Sequence, residues 1–411
     1  MSDSRTAGSA TSSGWRTPML ILTVGVLIAV LTNGPRTGMG LFLAPMTEAN
    51  GWSRETFALA LAIQNIVWGV AQPIAGGFAD RYGTARVIAA GGLVYAVGLL
   101  VMSQAELPFV LHLSAGVLVG AAIAASSFGL VISAFSRLLP PEKRQIGFGI
   151  ATAGGSLGQF LFAPITQGFI SAYGWHTALM LIAAMVLAVI GLAPVMAGRN
   201  EKPAGAVRDQ SVSEALREAL SNRSYVLLVT GFFVCGFQVA FISAHLPAYI
   251  VDLGIAAKWG AWAIALIGLF NVIGSYGSGI LSGRSSRPHM LSWLYLLRSV
   301  AFVGFLMVPI SVPSLLIFSC VMGLLWLSTV PPTSGIVVTM FGPRWMGLLY
   351  GVVFLNHQLG SFLGVWLGGR LYDQTGSYDV VWWLGAVLGV VAGLLHWPIR
   401  DAPVERLTEP A

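Results

Sequence analysis

Charged residues are scarce in this chain of 411 residues. Asp, Glu, Lys and Arg together make up only 9% of it, whereas a soluble domain carries about 25%. Hydrophobic residues make up 56%, and the mean hydropathy is +0.79. So few charges exclude a water-soluble surface. The composition therefore predicts a multi-pass protein of the cell membrane, and we expect a bacterial inner membrane.

Cysteine and the motifs of common enzymes are equally sparse. The only two cysteines, Cys235 and Cys320, lie in apolar runs and predict neither a disulfide framework nor a zinc site. HExxH and P-loop motifs are absent. The GGSLG segment at 154–158 fits GxSxG but lacks the preceding strand and the acid partner of a hydrolase. We expect no enzyme activity, no catalytic residue, no metal and no cofactor.

About twelve stretches have the length of roughly 20 apolar residues that a spanning helix needs. One long polar segment, 198–223, separates the first six from the last six. Its part SVSEALREAL predicts a short interfacial helix whose capping box starts at Ser213. The predicted spans are 18–45, 55–78, 85–104, 108–137, 145–170, 175–197, 224–251, 258–282, 288–310, 313–340, 345–370 and 378–400.

The distribution of Lys and Arg predicts the orientation. All but five of the 22 basic residues fall at one side of the membrane if both termini are cytoplasmic. Basic residues do not cluster in one face or tail, so no nucleic-acid partner is expected. The predicted organisation is a disordered tail (1–17), a six-helix bundle (18–197), a cytoplasmic linker (198–223), a second bundle (224–400) and a tail (401–411).

The chain aligns with itself at an offset of 202 residues. Two parallel six-helix halves with a site between them are typical of transporters that alternate access by rocking. The aligned pairs are Gly34 with Gly236, Pro45 with Pro247, the segment 126–127 with 328–329, and Gly149, Leu157, Gly158, Phe160, Leu161 and Gly174 with Gly351, Leu359, Gly360, Phe362, Leu363 and Gly376.

The segment GGFADRYGTAR at 76–86 resembles the signature loop of the major facilitator superfamily, G-x-L-A-D-R-x-G-R-K-x-x. The matching residues are Gly76, Asp80, Arg81, Gly83 and Arg86. Gly76 allows close helix approach, and Asp80 at a helix end can hold a neighbouring helix through charge and dipole contacts. The resemblance covers about 18–400 and implies an all-α fold of twelve helices in two pseudo-symmetric bundles. It assigns these five residues to a gating loop.

Two further segments, GPRTGMGLF at 34–42 with GWSR at 51–54, and GGRLYDQTGSY at 368–378, are similar to the monocarboxylate-transporter-like and oxalate/formate-exchanger-like branch. This similarity implies small organic anions as substrates. Those relatives often carry a basic residue in span eight, where this chain offers Asn271. The carboxylate would then bind Arg36 or Arg298 instead.

Arg36 lies past the middle of span one, where a charge is costly unless it faces a cavity or a partner. We expect it to bind a carboxylate with two N–H groups; the alternative is a side chain that reaches the outer interface. Gly34 and Pro35 should loosen the helix there. Asn33 and the repeat partner Gln238 are further substrate-binding candidates.

Span eleven carries three consecutive polar residues, 356–358, which cannot all face one way on a helix. We predict that His357 faces the cavity, binding substrate or carrying a proton, with Asn356 beside it; the alternative is a helix–helix hydrogen bond. His245 in span seven is a second proton candidate or an ordinary interface residue. Arg298 contacts substrate or, on an outer scaffold helix, pairs with helix ends.

No Asp or Glu lies in the middle of a span. Proton-driven sugar carriers and exporters of cationic drugs commonly need such a carboxylate, so the sequence favours a monomeric, proton-coupled transporter of monocarboxylate-type anions. Symport is favoured over antiport. An exporter of hydrophobic or drug-like compounds and a non-transporting membrane sensor remain alternatives. Gln64, Asn65 and Gln159 are polar residues that could line the path.

Overall fold

The computed structural model describes residues 17–126, 128–139, 141–197, 210–342 and 345–404, which are almost wholly helical and contain no strand. Most of the predicted tails and linker therefore lies outside the described residues. The helices are α1 (Pro18–Thr37), α2 (Leu43–Asn50), α3 (Arg54–Tyr82), α4 (Thr84–Ser103), α5 (Pro108–Leu111), α6 (Val119–Ser126), α7 (Phe128–Leu138), α8 (Pro141–Leu192), α9 (Val212–Ser221), α10 (Arg223–Asp252), α11 (Ala257–Ser282), α12 (Arg287–Met307), α13 (Val312–Leu325), α14 (Val330–Phe341), α15 (Met346–Thr375) and α16 (Asp379–His396).

All twelve predicted spans are present, each end within five residues of its prediction. Eleven described segments are long and apolar enough to cross a membrane. One of them, 153–196, holds two spans, because α8 is broken at Gly174. Its backbone φ of 77° lies in the region that favours glycine. The predicted all-α fold of two six-helix halves is confirmed.

Several spans are interrupted rather than continuous. The expected loosening of the helix near Gly34 occurs one turn later. Gly34 packs against α8, and α1 itself continues through Pro35 to Thr37. A 3-10 turn over Met39–Phe42 then leads into α2. Span ten breaks over 326–329 before α14, where two prolines occupy first-turn positions that need no intrahelical N–H. Each break leaves backbone carbonyls that side chains can bind.

The linker helix α9 begins two residues before the predicted start. Ser211, not Ser213, is the N-cap, and its hydroxyl accepts the N–H of Glu214 while the Glu214 carboxylate accepts the N–H of Ser211 at 2.7 Å. These hydrogen bonds hold the pKa of Glu214 below its ordinary value. Ala215 and Ala219 are buried, whereas Val212 and Leu220 are exposed. The interfacial position of this helix stays a prediction.

Equivalent helices make equivalent contacts in the two halves. In the first half α1 packs on α8, α3 on α6, and α4 on α8; in the second half α10 packs on α15, α11 on α13, and α12 on α16. The two most extensive contacts between the halves are α3 with α15 and α8 with α11, and α10 also packs against the 3-10 turn Met39–Phe42 and against α2. The offset of 202 residues exchanges the two most extensive pairs, so the boundary between the halves is itself pseudo-symmetric.

The α3–α15 boundary is tight at one end and spread at the other. Glu55 pairs with Arg370 near the start of α3, and further along the helix the Trp68 ring meets the Phe354 ring edge-on at 5.1 Å. Towards the signature loop no described atom lies within 4 Å of a Cβ built on Gly76 or Gly351. The charge bias predicts that the tight end is extracellular. A cavity between the halves is thus closed towards the predicted outside.

Candidate functional site

Arg36 lies in the last turn of α1, at the boundary between the halves. Its Nη2–H donates to Asn65 Oδ1 at 3.2 Å, and its guanidinium carbon lies 4.4 Å from the centroid of the Trp68 ring. None of the described residues offers it a carboxylate within 4 Å. The charge is therefore half-buried and unneutralised, with donors left for a bound anion.

The space beside Arg36 is bounded by both halves. It is small, with about 30 Å³ of space for water-sized molecules, and it opens to solvent. The lining is about equally polar and apolar, and besides Arg36 its polar side chains are two hydroxyls and two amides. The lining residues are Arg36, Thr37, Met39, Gly40, Leu61, Gln64, Asn65, Ala240, Ser243, Ala244 and Val365. One cation among neutral side chains, some polar and some apolar, suits a small anion that carries a hydrocarbon part.

Helix α3 fixes the amides that face Arg36. Asn65 donates its Nδ2–H to the carbonyl of Leu61 at 2.9 Å, which turns its Oδ1 towards Arg36. Gln64 donates to the carbonyl of Ala115 at 2.8 Å, within a turn of π-helix over His112–Leu118. The sequence indicated that both amides could line the path, and both line this cavity in the structure.

Asn33 and Asn271, two further candidates for substrate binding, hold helices together instead. Asn33 donates to the carbonyl of Gly155 at 3.0 Å and so links α1 to α8. Asn271 donates to Ser156 Oγ at 2.8 Å across the boundary, and its Oδ1 accepts the N–H of Leu327 at 3.0 Å. Neither residue lines the Arg36 cavity.

Gln238 and Arg298 lie inside the second half and are fully buried. Arg298 donates Nε–H and Nη2–H to the carbonyl of Leu325 at 3.0 and 2.6 Å and also donates to the carbonyl of Trp326. Gln238 donates to the carbonyl of Gly385 at 2.9 Å and accepts from Arg298 at 3.5 Å. Arg298 thus binds the carbonyls exposed where span ten breaks. This agrees with the alternative that Arg298 pairs with helix ends rather than with substrate.

Two residues of the polar triplet of span eleven, Asn356 and His357, pack within the second half, whereas Gln358 faces Gly69 of α3. Asn356 donates to the carbonyl of Val229 at 2.6 Å. His357 is 8% exposed, and its Nδ1 lies 3.2 Å from Gln358 Oε1. Its ring lies between Phe232 and Phe354, with centroids 5.2 and 5.9 Å away. None of the three lines the Arg36 cavity, although His357 keeps a small exposed fraction.

His245 is fully buried behind the cavity wall. Its Nε2 lies 2.8 Å from the carbonyl of Val365, which lines the cavity, so Nε2 is the protonated nitrogen. Its Nδ1 lies 3.2 Å from the hydroxyl of Tyr378. The Tyr378 hydroxyl in turn accepts an N–H of Arg54 at 2.9 Å. A chain of hydrogen bonds therefore runs from the cavity wall to the tight end of the boundary.

The sequence reasoning missed the cluster at that end. Arg54 binds Asp252 with two N–H groups at 2.5 and 2.6 Å. The Asp373 carboxylate accepts the N–H groups of Arg54 and Glu55 at 3.0 and 2.7 Å, and Arg370 pairs with Glu55 at 3.1 Å. The sequence did contain a signal, because Arg54 and Arg370 are two of the five basic residues that do not fall on the predicted cytoplasmic side.

The signature loop joins α3 to α4 through Gly83, whose φ of 93° lies in the region that favours glycine. The side chain of Asp80 lies outside the described part. The Arg81 guanidinium is 5.3 Å from the Tyr82 ring, within the loop. The close helix approach that Gly76 allows is not made among the described residues, since nothing lies within 4 Å of a Cβ built on it.

Within the described residues, no group of three or more His, Cys, Asp or Glu side chains is placed to bind a metal ion.

The sequence profile of the Major Facilitator Superfamily matches residues 26–365. The chain belongs to this superfamily.

Similar proteins agree with that membership. The uncharacterized MFS-type transporter YcxA of Bacillus subtilis is 25% identical over 375 residues, covering 89% of this chain and 91% of its own. Monocarboxylate transporter 13 of Rattus norvegicus is 24% identical over 351 residues, covering 82% and 78%. The protein is thus a multi-pass membrane transporter of the major facilitator fold.

Solved structures show the same fold. An inward-facing, unoccupied bacterial homologue of the human lysosomal transporter Spinster aligns with a TM-score of 0.75 at 16% identity, covering 94% of this chain and 97% of that one. A D-xylose–proton symporter aligns with a TM-score of 0.72 at 13% identity, covering 94% and 99%.

Proposed function

We propose that this transporter moves small organic anions with one carboxylate across the cell membrane by alternating access, as a monomer, and that Arg36 binds the carboxylate. The observation that carries the proposal is the Arg36 charge, which lies between the halves without a described carboxylate partner. A carboxylate could accept two N–H bonds from such a guanidinium. The relatives named monocarboxylate transporters support the same substrate class.

The lining favours a single carboxylate with a short apolar part. Arg36 is the only cation among the lining residues, and the donors of Arg298 are engaged by carbonyls elsewhere. Met39, Leu61 and Val365 offer apolar contact. A second carboxylate would enter this space without a cation and would carry an uncompensated desolvation cost.

Proton coupling is the second part of the proposal. A carboxylate carried alone moves a negative charge through the membrane, whereas a carboxylate with a proton crosses as a neutral pair. No Asp or Glu is among the lining residues, so His357 and His245 are the proposed proton sites. On this proposal the signature loop, with Gly76, Asp80, Arg81, Gly83 and Arg86, gates the predicted inner end.

The experiment is a thermal-shift panel of purified wild type, Arg36→Gln and Lys258→Gln, followed by flux into liposomes. Lys258 is exposed at the start of α11, so Lys258→Gln is the matched control for losing one positive charge. A ligand at 100 times its Kd stabilises by about 2.7 kcal/mol. We expect a monocarboxylate to stabilise wild type and the control. Arg36→Gln should bind it about 10- to 150-fold more weakly, the loss expected for a hydrogen bond to a charged group.

Liposome flux then tests transport and coupling. We expect a proton gradient to drive uptake of the stabilising carboxylate into wild-type proteoliposomes and not into Arg36→Gln proteoliposomes. Equal carboxylate affinity in Arg36→Gln and wild type would contradict the binding role of Arg36. Stabilisation and flux with cations or neutral lipophiles, independent of Arg36, would instead establish the exporter alternative. Binding without flux would favour a sensor.

A further inference from the structure

The cluster at the tight end joins the halves with more than a surface ion pair. We call Arg54, Asp252, Asp373 and Tyr378 the Arg54 cluster. The side chains of Arg54 and Asp252 are 14% and 26% exposed, and their pairing is bidentate. A partly buried bidentate pair is stronger than an exposed single contact.

Asp373 adds a contact that exists only while this end is closed. It belongs to α15 of the second half, yet its carboxylate accepts the first two N–H groups of α3 in the first half. The local cap of α3, Ser53, accepts only the N–H of Thr56. Separation of the halves here therefore leaves two N–H groups of α3 without their present acceptor, at the positive end of the helix dipole.

The hydrogen bonds from Arg54 inward have one consistent direction. The N–H of Arg54 can only donate, so the Tyr378 oxygen accepts it, and the Tyr378 O–H is free to donate to His245 Nδ1. His245 Nε2–H donates to the carbonyl of Val365 in the cavity wall. This arrangement requires a neutral His245 with its proton on Nε2.

We propose that the Arg54 cluster is the gate at the predicted extracellular end and that protonation of His245 opens it. The inference rests on the proposed function, since it supplies a route for proton coupling at the Arg36 cavity. It selects His245 over His357, because His245 alone of the two is hydrogen-bonded to both the cavity wall and the cluster.

Protonation reverses one hydrogen bond and adds one charge. With a proton on Nδ1, His245 and Arg54 both donate to the Tyr378 oxygen, and the Tyr378 O–H loses its acceptor. The imidazolium then competes with Arg54 for the nearby carboxylates, because two cations share one hydroxyl in a site of low dielectric. The pairing of Arg54 with Asp252 weakens, and low pH favours the open end.

Other charged and titratable groups surround this path and enter the test. The first half contributes Arg54 and Glu55; the second half contributes Asp252, Lys258, Arg370, Asp373 and Asp379, and the tyrosine hydroxyls of Tyr249, Tyr372 and Tyr378. The range from pH 5.5 to pH 8 spans the ordinary titration of histidine, and the His245→Gln variant tests whether His245 carries the response.

The experiment measures the distance between spin labels at Ala49→Cys and Gln374→Cys, exposed positions of the two halves at this end. Cys320 is replaced by Ser, and the buried Cys235 is left in place. The variants are wild type at the cluster, His245→Gln, Tyr378→Phe and Tyr249→Phe, all without substrate. Tyr249→Phe is the matched control, because it removes a hydroxyl from the same aromatic group without touching the hydrogen-bond chain.

We expect the long-distance population to rise at least about fivefold from pH 8 to pH 5.5 in wild type and in Tyr249→Phe, the lower end of a typical coupling. The response should be absent in His245→Gln and Tyr378→Phe. A pH-independent distance in wild type, or a full response in either relay variant, would overturn the gate. Tyr378→Phe keeps the ring and so still decides the matter if His245→Gln does not fold. Carboxylate binding to Arg36, measured separately, can fail or succeed independently of this result.

Discussion

Asn271 of α11 and Ser156 of α8 form a buried side-chain hydrogen bond of 2.8 Å across the boundary between the two halves. The remaining capacity of Asn271 is used inside the second half. Its Oδ1 accepts the N–H of Leu327 and the hydroxyl of Ser275, at 3.0 and 2.9 Å. One amide therefore joins the halves and also satisfies the backbone where span ten is broken.

These two roles predict different costs for two substitutions. Ser156→Ala breaks the bond between the halves and leaves one buried N–H of Asn271 without an acceptor, which should lower the free energy of unfolding by about 1–3 kcal/mol. Asn271→Leu also leaves the Leu327 N–H without its acceptor, which adds about 1–3 kcal/mol. Thermal unfolding in detergent measures the difference. Equal unfolding temperatures with weaker carboxylate binding in Asn271→Leu would instead identify Asn271 as a substrate ligand.

Hydropathy and glycine positions were sufficient to predict the spans. The apolar windows located all twelve, and the interval between the fifth and sixth predicted spans contained Gly174, where α8 breaks. The offset of 202 residues predicted the equivalent helices. These features are local or periodic, so the sequence carries them directly.

The roles of polar residues could not be read in the same way. Gln238 and Arg298 resembled cavity residues because a buried polar group in a span needs a partner. The partner turned out to be the backbone carbonyls of an interrupted helix, and the sequence does not show which carbonyls a break exposes. Arg54 and Asp252, 198 residues apart, resembled ordinary helix ends until the halves were packed together.

Close packing of α10 on α15 predicts a strong effect at Gly364. A Cβ there would collide with the backbone carbonyl of Phe237 and lie 3.0 Å from its Cα. Backbone cannot yield as a flexible side chain does, so Gly364→Ala should cost about 1–3 kcal/mol. Gly351→Ala on the same helix is the control, because its Cβ meets no described atom within 4 Å. Monodisperse yield and unfolding temperature should fall only in Gly364→Ala; an equal effect of both would contradict the packing.

Arg298 provides the sharpest contrast with Arg36. Both are arginines within spans, but Arg298 is fully buried and binds the carbonyls of Leu325 and Trp326, whereas Arg36 is half-buried beside a cavity. Arg298→Leu leaves those carbonyls without donors and should destabilise by about 1–3 kcal/mol for each. Arg298→Lys keeps the charge and part of the hydrogen bonding, so its unfolding temperature should be intermediate.

Carboxylate binding separates the two arginines. Because Arg298 does not line the cavity, the folded fraction of Arg298→Lys should bind a monocarboxylate with an affinity within about twofold of wild type, since substitutions away from the site change little. Arg36→Lys should bind more weakly, because an ammonium cannot replace the planar pair of N–H donors. Titration of both variants by calorimetry makes the comparison. A stable Arg298→Lys protein that has lost binding would move the substrate site into the second half.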